Sequence, residues 1–138
     1  MTERETMAEG GASMEREPAV RTLAMPADAN PSGDIFGGWL MAQMDIAGGI
    51  VAGLRARGRV ATVAVDGMTF HEPVFVGDLV SCYAEVTRIG RTSITVAVET
   101  IVRRRRSGEA VRVTEGRFVY VALDGDGRPR PVPAAERA

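Results

Sequence analysis

The stretch IFGGWLMAQMDIAGGIVAGL, residues 35–54, decides the fold of this chain. It is apolar on nearly every side, which is typical of a buried helix and not of an amphipathic surface helix. Gly48, Gly49 and Gly53 lower the intrinsic helix propensity by about 1 kcal/mol each relative to alanine, a cost that makes sense if another backbone packs closely against that face of the helix. We therefore predict a helix that begins near residues 36–38, ends near residues 55–57 with Gly58 as its stop, and is enclosed by other elements.

Asp45 is the only charged residue in this stretch. A carboxylate buried without a partner destabilises the folded state or takes up a proton, so folded proteins rarely place one there without a partner or a chemical task. Asp45 is therefore the first candidate for a functional residue. The alternative is structural: the carboxylate caps a neighbouring segment or pairs with an arginine.

Size and composition are those of an ordinary globular domain. The chain has 138 residues, 45% of them hydrophobic and 25% charged, which suits one domain with a hydrophobic core. The formal net charge of −1 gives no overall field that favours nucleic acid or an anionic membrane. The glycines, Gln43 and Asp45 argue against a membrane span, and the first residues lack the features of a secretory signal. We expect a cytoplasmic protein with no nucleic-acid or membrane partner, no metal and no cofactor.

Alternation of apolar and polar residues predicts one short strand before the helix and four long strands after it. Their expected ranges are residues 19–25, Val60–Phe70, Leu79–Ile89, residues 92–103 and residues 111–123. We expect the four long strands to be antiparallel and joined by short turns, with Gly116 as a β-bulge. Cys82, the only cysteine, falls on the apolar face of one strand and is predicted to be a core residue.

An antiparallel sheet wrapped around one long central helix is the hotdog fold, an α+β architecture. Since a single sheet cannot cover every apolar side of the helix, we expect at least a dimer. We predict a flexible N-terminal tail over residues 1–17, one hotdog domain over residues 18–131 and a C-terminal tail over residues 132–138.

Four sequence blocks carry a family resemblance. They are TLAMPADANPSGDIFGGWLMAQMDIAGG at residues 22–49, VDGMTFHEPVFVGD at 65–78, GRTSI at 90–94 and FVYVALDGDGRPR at 118–130. In this order the blocks resemble the acyl-CoA thioesterases of the hotdog superfamily, in particular the YciA-type bacterial enzymes with an ACOT-type hotdog domain. The resemblance implies hydrolysis of acyl-CoA to a free acid and CoA, broad substrate specificity, and a homohexamer built as a trimer of dimers.

The resemblance also implies two catalytic residues. Asp45 matches the family's catalytic aspartate in the central helix, and Asn30 matches an asparagine that acts across the dimer interface. Ser32 stands where many members have a second asparagine, so no role carries over to that position. Asp45 would deprotonate a water molecule or attack the thioester carbon, and the sequence does not choose between these routes. Asn30 would orient the water or bind the thioester carbonyl, although its loop composition alone indicates only a turn.

The oxyanion that develops on the thioester needs hydrogen-bond donors, and the backbone N–H groups of Gly37 and Gly38 are the candidates. They lie at the predicted helix start, where N–H groups are unpaired and the helix dipole favours negative charge. The alternative is that these two glycines only permit close packing of the helix against its surroundings.

Coenzyme A carries phosphates, so a basic rim is expected around its site. The candidate CoA-binding residues lie near two predicted turns: Gly90, Arg91, Thr92 and Ser93 at the first, and Arg103 and Arg104 at the second. Because alternate strand residues face opposite sides, at most two of the arginines at residues 103–106 share a ligand face. That run of charge is equally typical of a solvated strand edge. His71, the only histidine, lies in a turn and is a weaker candidate.

Three other functions compete with hydrolysis. A hotdog protein that binds acyl-CoA without cleaving it would not need a carboxylate at the centre of the helix. A hotdog hydratase or dehydratase pairs its aspartate with a histidine a few residues further on, whereas IAGGIVAGL follows Asp45 here. A nucleic-acid-binding module is disfavoured because the chain has neither net positive charge nor an aromatic platform.

Overall fold

The computed structural model describes residues 14–135 of the chain. Within them the elements follow in the order β1 (Val20–Leu23), a short 3₁₀ helix (Pro26–Asp28), α1 (Gly37–Ala56), β2 (Val60–Phe70), β3 (Leu79–Ile89), β4 (Ser93–Arg103) and β5 (Ala110–Ala122). The strands form one antiparallel sheet with the order β1-β3-β4-β5-β2, and α1 packs against it. The predicted α+β hotdog architecture is confirmed, and each predicted strand lies within a residue or two of its observed bounds.

The connection from β2 to β3 departs from the prediction of short turns. β2 pairs with β5 at one edge of the sheet, whereas β3 lies between β1 and β4, so residues 71–78 cross between distant strands. This segment is held where Ile35 N donates to Val74 O at 2.8 Å, just before α1. Alternation within a strand indicates which of its faces is buried and not which strand lies beside it, so the pattern did not predict the crossover.

The predicted bulge at Gly116 is wrong. Gly116 keeps its regular pairing with β4, and the extra residue lies opposite it on β2, between Asp66 and Thr69. Gly67, with φ +64°, and Met68 occupy this irregular segment. A Cβ at position 116 would lie 2.8 Å from the Met68 methyl group. Gly116 therefore provides space for a bulge on the neighbouring strand.

The hydrophobic core lies between α1 and the sheet. It contains Met44, Ala47, Ala52 and Ala56 from the helix and Cys82, Ile94, Val96, Val98, Phe118, Tyr120 and Ala122 from the sheet. Burial raises the pKa of the Cys82 thiol to about 11, and the hydrogen bond between Cys82 and Thr100 offsets only part of that rise. Cys82 is fully buried in this core, so the prediction that it is a core residue is confirmed. A buried neutral thiol is also a poor nucleophile.

One side of α1 stays apolar and exposed in the single chain. Ile46, Ile50 and Leu54 recur every fourth residue and so form one stripe, in which Leu54 is 75% exposed. Further large apolar side chains are exposed at the helix start and on the edge strand β2: Phe36, Val63, Val65 and Phe70. A monomer rarely exposes so many large apolar side chains, so this surface is typical of a protein–protein interface.

The predicted tails are only partly described, because residues 1–13 and 136–138 lie outside the described range. At the N-terminal side, Arg16 pairs with Glu99 on β4 and its guanidinium lies 4.2 Å from the centre of the Tyr83 ring. At the C-terminal side, Val132 N donates to Arg91 O at 2.9 Å. Contacts with the sheet and its turns therefore reach beyond residues 18–131 at both ends.

The helix begins and ends within its predicted bounds, but its stop residue differs from the prediction. α1 ends at Ala56, and the left-handed residue after it is Arg57, with φ 54°, instead of Gly58. Gly58 provides space, since a Cβ there would lie 2.9 Å from a guanidinium nitrogen of Arg130. That guanidinium donates to Ala56 O at 2.7 Å and to Leu123 O at 2.9 Å. Arg130 thus supplies charged donors to a carbonyl of the last helical turn, where positive charge is favourable.

Arg130→Ala is expected to lower the free energy of unfolding by about 2 kcal/mol, because two carbonyl oxygens lose their charged donor. Urea unfolding followed by circular dichroism measures the change. Arg128→Ala is the control, since Arg128 is exposed and its side chain makes no hydrogen bond or ion pair within the described residues. An equal loss of stability in both variants would contradict the capping role of Arg130.

Candidate active site

Asp45 lies near the middle of α1, half-buried, where the helix faces β2 and β5. Thr62 Oγ1 on β2 donates to Asp45 Oδ1 at 2.7 Å, and the Tyr120 hydroxyl on β5 donates to the same oxygen at 3.0 Å. Among residues 14–135, Asp45 has no ion pair with an arginine, and its Oδ2 accepts no hydrogen bond. The carboxylate is therefore held at one oxygen and free at the other.

Strand pairing brings the two hydroxyl groups together. Thr62 and Tyr120 are direct cross-strand partners, so their side chains project from the same face of the sheet. The Tyr120 side chain is only 1% exposed, and its hydroxyl also lies 2.9 Å from the main-chain oxygen of Asp45. Sequence reasoning missed both residues, because each belongs to an ordinary strand pattern and only the strand order places them beside Asp45.

Gly48 allows the Tyr120 side chain to reach the helix backbone. A Cβ at position 48 would lie 2.3 Å from the Tyr120 hydroxyl and 3.1 Å from its ring, and a Cβ at Gly49 would lie 3.7 Å from the same ring. We expected these glycines to admit another backbone, and at both positions that expectation is wrong, since they face a side chain. Only Gly53 has backbone nearby, with Gly58 O 3.5 Å from its Cβ position.

Asn30 forms the turn that its loop composition indicated. Its Oδ1 accepts hydrogen bonds from Ser32 N at 2.9 Å and from Asp34 N at 3.1 Å, and Gly33 completes the turn with φ +92°. The amide Nδ2 donates to no group in the described part of the chain. The orientation of the amide follows from these two contacts, which require an oxygen. Asn30 therefore has its acceptor oxygen occupied and its two N–H donors available.

Gly37 and Gly38 are the first two residues of α1. Their N–H groups have no backbone acceptor in residues 14–135, whereas the next two N–H groups both donate to Phe36 O. Within residues 14–135 of the single chain, a Cβ at position 38 would meet no atom within 4 Å, so packing among these residues does not require a glycine there. A Cβ at position 37 would make an ordinary contact with the Phe70 ring at 3.4 Å. The unpaired donors predicted at the helix start are thus in place.

Asn30, Gly37 and His71 line one groove of about 340 Å³ at the start of α1. The His71 Nε2 atom lies 3.5 Å from a Glu115 carboxylate oxygen. Asp45 does not line this groove. It follows Gly37 by eight residues, which places it about 12 Å further along the helix at 1.5 Å per residue. Reacting atoms must approach to about 3 Å, so one thioester cannot contact both places in a single chain.

The candidate CoA-binding residues lie at opposite ends of β4, about 30 Å apart at 3.3 Å per strand residue. At one end, Gly90 N donates to Ser93 O at 2.8 Å, and Thr92 O accepts from Ala122 N at 2.9 Å. Arg91 is exposed there, with no side-chain hydrogen bond or ion pair among residues 14–135.

The arginines at the other end of β4 are already engaged. Arg103 donates to Gly108 O at 2.6 Å. Arg104 forms an ion pair with Asp78 and donates to Pro73 O at 3.0 Å. A phosphate would have to compete with Asp78, which is almost fully buried, for the Arg104 guanidinium. The structure therefore separates the two groups of candidates and leaves Arg91 the most accessible of the three arginines.

Comparison with known proteins identifies the family. Residues 32–108 match the model of the thioesterase superfamily. The chain is a member of the thioesterase superfamily. It is 56% identical over 120 residues to the acyl-CoA thioester hydrolase YciA of Salmonella typhimurium, a match that covers 85% of this chain and 90% of the relative.

Two solved structures are similar to this superfamily member over nearly their whole length. A hexameric thioesterase from Yersinia pestis is 54% identical, with a TM-score of 0.84 and coverage of 89% of this chain and 100% of that one. A hexameric hotdog fold thioesterase of Campylobacter jejuni is 41% identical, with a TM-score of 0.83 and coverage of 88% and 93%. The predicted resemblance to hotdog acyl-CoA thioesterases is confirmed.

Residues 14–135 contain no group of three or more His, Cys, Asp or Glu side chains that could hold a metal ion. Over the same residues, no helix has the length and hydropathy needed to span a bilayer.

Proposed function

We propose that this chain hydrolyses acyl-CoA to a free acid and CoA, with Asp45 as the reacting carboxylate. Hydrolysis is supported by the Salmonella acyl-CoA thioester hydrolase, which is 56% identical and is covered over 90% of its length. The role of Asp45 is supported by one observation: two hydroxyl groups hold Oδ1, while Oδ2 has no partner in the described residues. One carboxylate oxygen is thereby fixed and the other is available to react.

Oδ2 of Asp45 supports two chemical routes. As a general base, it removes a proton from water while the water oxygen bonds to the thioester carbon. As a nucleophile, it bonds to that carbon and forms a mixed anhydride, which water then hydrolyses. In both routes the carbonyl oxygen becomes an oxyanion, the C–S bond breaks, and CoA leaves as a thiolate that takes up a proton.

The oxyanion donors come from a second copy of the chain. In one copy, Asp45 lies about 12 Å along the helix from Gly37, too far for one thioester to contact both. The helix that carries Asp45 also carries the exposed apolar stripe containing Leu54. A second copy of the chain can cover this surface. A dimer formed on that surface lets the start of α1 in one copy approach Asp45 in the other. The active site is then made of two chains, with two sites in each dimer.

Asn30 acts in this site as a donor. Its Oδ1 is occupied by two backbone N–H groups of its own loop, so it cannot also accept from a water molecule without losing one of them. Its Nδ2 is free to donate to the thioester carbonyl beside the N–H groups of Gly37 and Gly38. Of the two roles left open for Asn30, binding the carbonyl is therefore the better supported.

The assembly is a homodimer at least, and we extend it to a homohexamer, a trimer of dimers, on the model of the hexameric relatives. Gly90, Arg91, Thr92 and Ser93 are assigned to CoA binding, with Arg91 facing the phosphates, and Arg103 and Arg104 are kept as a second candidate group. Because the two groups lie at opposite ends of β4, one phosphate contacts only one group from a given copy. The protein works in the cytoplasm, without a nucleic-acid partner.

Asn30→Asp tests the donor role directly. The aspartate keeps an oxygen for the N–H groups of Ser32 and Asp34, but it removes both side-chain donors and places a negative charge beside the oxyanion. We expect kcat for acyl-CoA hydrolysis to fall by about 100- to 1,000-fold, as for loss of an oxyanion donor, with little change in melting temperature. Free-thiol release from acyl-CoA measures the rate.

Ser32→Ala is the matched control in the same loop, because only the main-chain N–H of Ser32 contacts Asn30. Its rate is expected to stay near that of the wild type. Wild-type kcat in folded Asn30→Asp would rule out the amide of Asn30 as an oxyanion donor.

A further inference from the structure

We infer that Tyr120 is a positioning residue for this reaction: it holds the Asp45 carboxylate so that Oδ2 is the reacting oxygen. Gly48 leaves the space on the helix that the Tyr120 side chain needs to reach Asp45. The inference rests on the proposed role of Asp45 as the reacting carboxylate. Tyr120 would act through Asp45 and does not itself need to touch the substrate.

The hydroxyl of Tyr120 contacts both the side chain and the main chain of Asp45. It lies 3.0 Å from Asp45 Oδ1 and 2.9 Å from the Asp45 main-chain oxygen. A phenol has one proton, so the two acceptors share it. The contact ties the carboxylate to its own backbone, and the Thr62 hydroxyl, 2.7 Å from Oδ1, approaches the same oxygen from β2. Rotation that exchanged Oδ1 and Oδ2 would break both side-chain contacts at once.

Tyr120 is itself held firmly. Its side chain is 1% exposed, and its ring stacks on Phe118 with centroids 6.4 Å apart and ring planes 18° apart. Gly48 faces the hydroxyl so closely that a Cβ at that position would lie 2.3 Å from it. A glycine in the interior of a helix opposes helix formation. Here the missing side chain leaves the space in which Tyr120 contacts Asp45. The helix and the strand are thus adapted to each other at this point.

The Tyr120 hydroxyl is a permanent donor. Burial raises the pKa of Tyr120 far above its usual value, and the hydrogen bond and negative charge of Asp45 raise it further. The group therefore keeps its proton at neutral pH.

Tyr120→Phe tests the inference, because it keeps the ring and the stacking on Phe118 and removes only the hydroxyl. We expect kcat to fall about tenfold, the size of one hydrogen bond to a charged group, with KM for acyl-CoA unchanged. A purely structural role would lower the free energy of unfolding and leave the kcat of the folded variant unchanged. Tyr83→Phe is the matched control, since Tyr83 is also buried but its hydroxyl contacts Arg21.

Gly48→Ala is a second variant, which keeps the hydroxyl and displaces it. Folded Gly48→Ala should show the same lower kcat as Tyr120→Phe, again with KM unchanged. The inference is overturned if folded Tyr120→Phe has the wild-type kcat while Asp45→Asn is inactive. If Asp45→Asn is itself as active as the wild type, the proposed role of Asp45 fails instead, and the inference fails with it.

Discussion

Asp45→Asn is expected to hydrolyse acyl-CoA at least about 100-fold more slowly than the wild type, a loss typical of removing a general base. The amide is close in size to the carboxylate and still offers one oxygen to the hydroxyls of Thr62 and Tyr120. It provides neither a base nor a nucleophile at the position of Oδ2. Release of free thiol from short-, medium- and long-chain acyl-CoAs, with wild type and variant side by side, measures the effect.

Asp126→Asn is the control for this experiment. It makes the same change from carboxylate to amide, but at an exposed turn far along the chain from Asp45. It should retain the wild-type rate. Full activity in folded Asp45→Asn would show that another group activates the water. Failure of the well-folded wild type to release thiol from any acyl-CoA would favour a protein that only binds acyl-CoA, and affinity would then be the quantity to measure.

Mixing two inactive variants is expected to restore activity. Asn30→Asp damages the donor half of each site and Asp45→Asn the carboxylate half, so a mixed dimer has one site with both halves intact. Random pairing of equal amounts makes half of the dimers mixed, so about a quarter of the wild-type activity should return. The two variants are unfolded together in urea and refolded by dilution, and thiol release is compared with that of each variant refolded alone.

The control for pairing is a mixture that carries different affinity tags on the two variants. Co-purification of the tags shows that mixed dimers have formed. If mixed dimers form and activity stays at the level of the separate variants, each site lies within a single chain. The 12 Å separation of Gly37 and Asp45 would then need another explanation, such as donors elsewhere on the same chain.

The helix and its aspartate were predictable because their signals are local. An apolar stretch of helical length with one carboxylate indicates a buried helix and a residue with a task, whatever surrounds it. Period-two alternation likewise predicted the buried face of β4, since that pattern follows from the pleat of the strand. The turn at Asn30 was also readable, because its amide contacts residues only two and four positions away.

The details that failed were those that depend on a partner distant in sequence. The bulge was expected at Gly116 and lies across from it on β2, because a glycine indicates available space and not which strand uses it. The helix stop was expected at Gly58, yet Arg57 is left-handed and Gly58 leaves room for Arg130. In each case the glycine was correctly singled out and its neighbour could not be foreseen.

The sequence by itself determined the buried helix, the position of Asp45 in it, the apolar faces of the strands and the family of the protein. Only the tertiary structure decided that Thr62 and Tyr120 meet at Asp45 Oδ1 and that Gly48 makes room for the tyrosine. The physical reason is that periodicity reports burial within one element, whereas the geometry of a site depends on which strands lie side by side. Here β2 and β5, distant in sequence, are paired so that two hydroxyl groups hold one carboxylate.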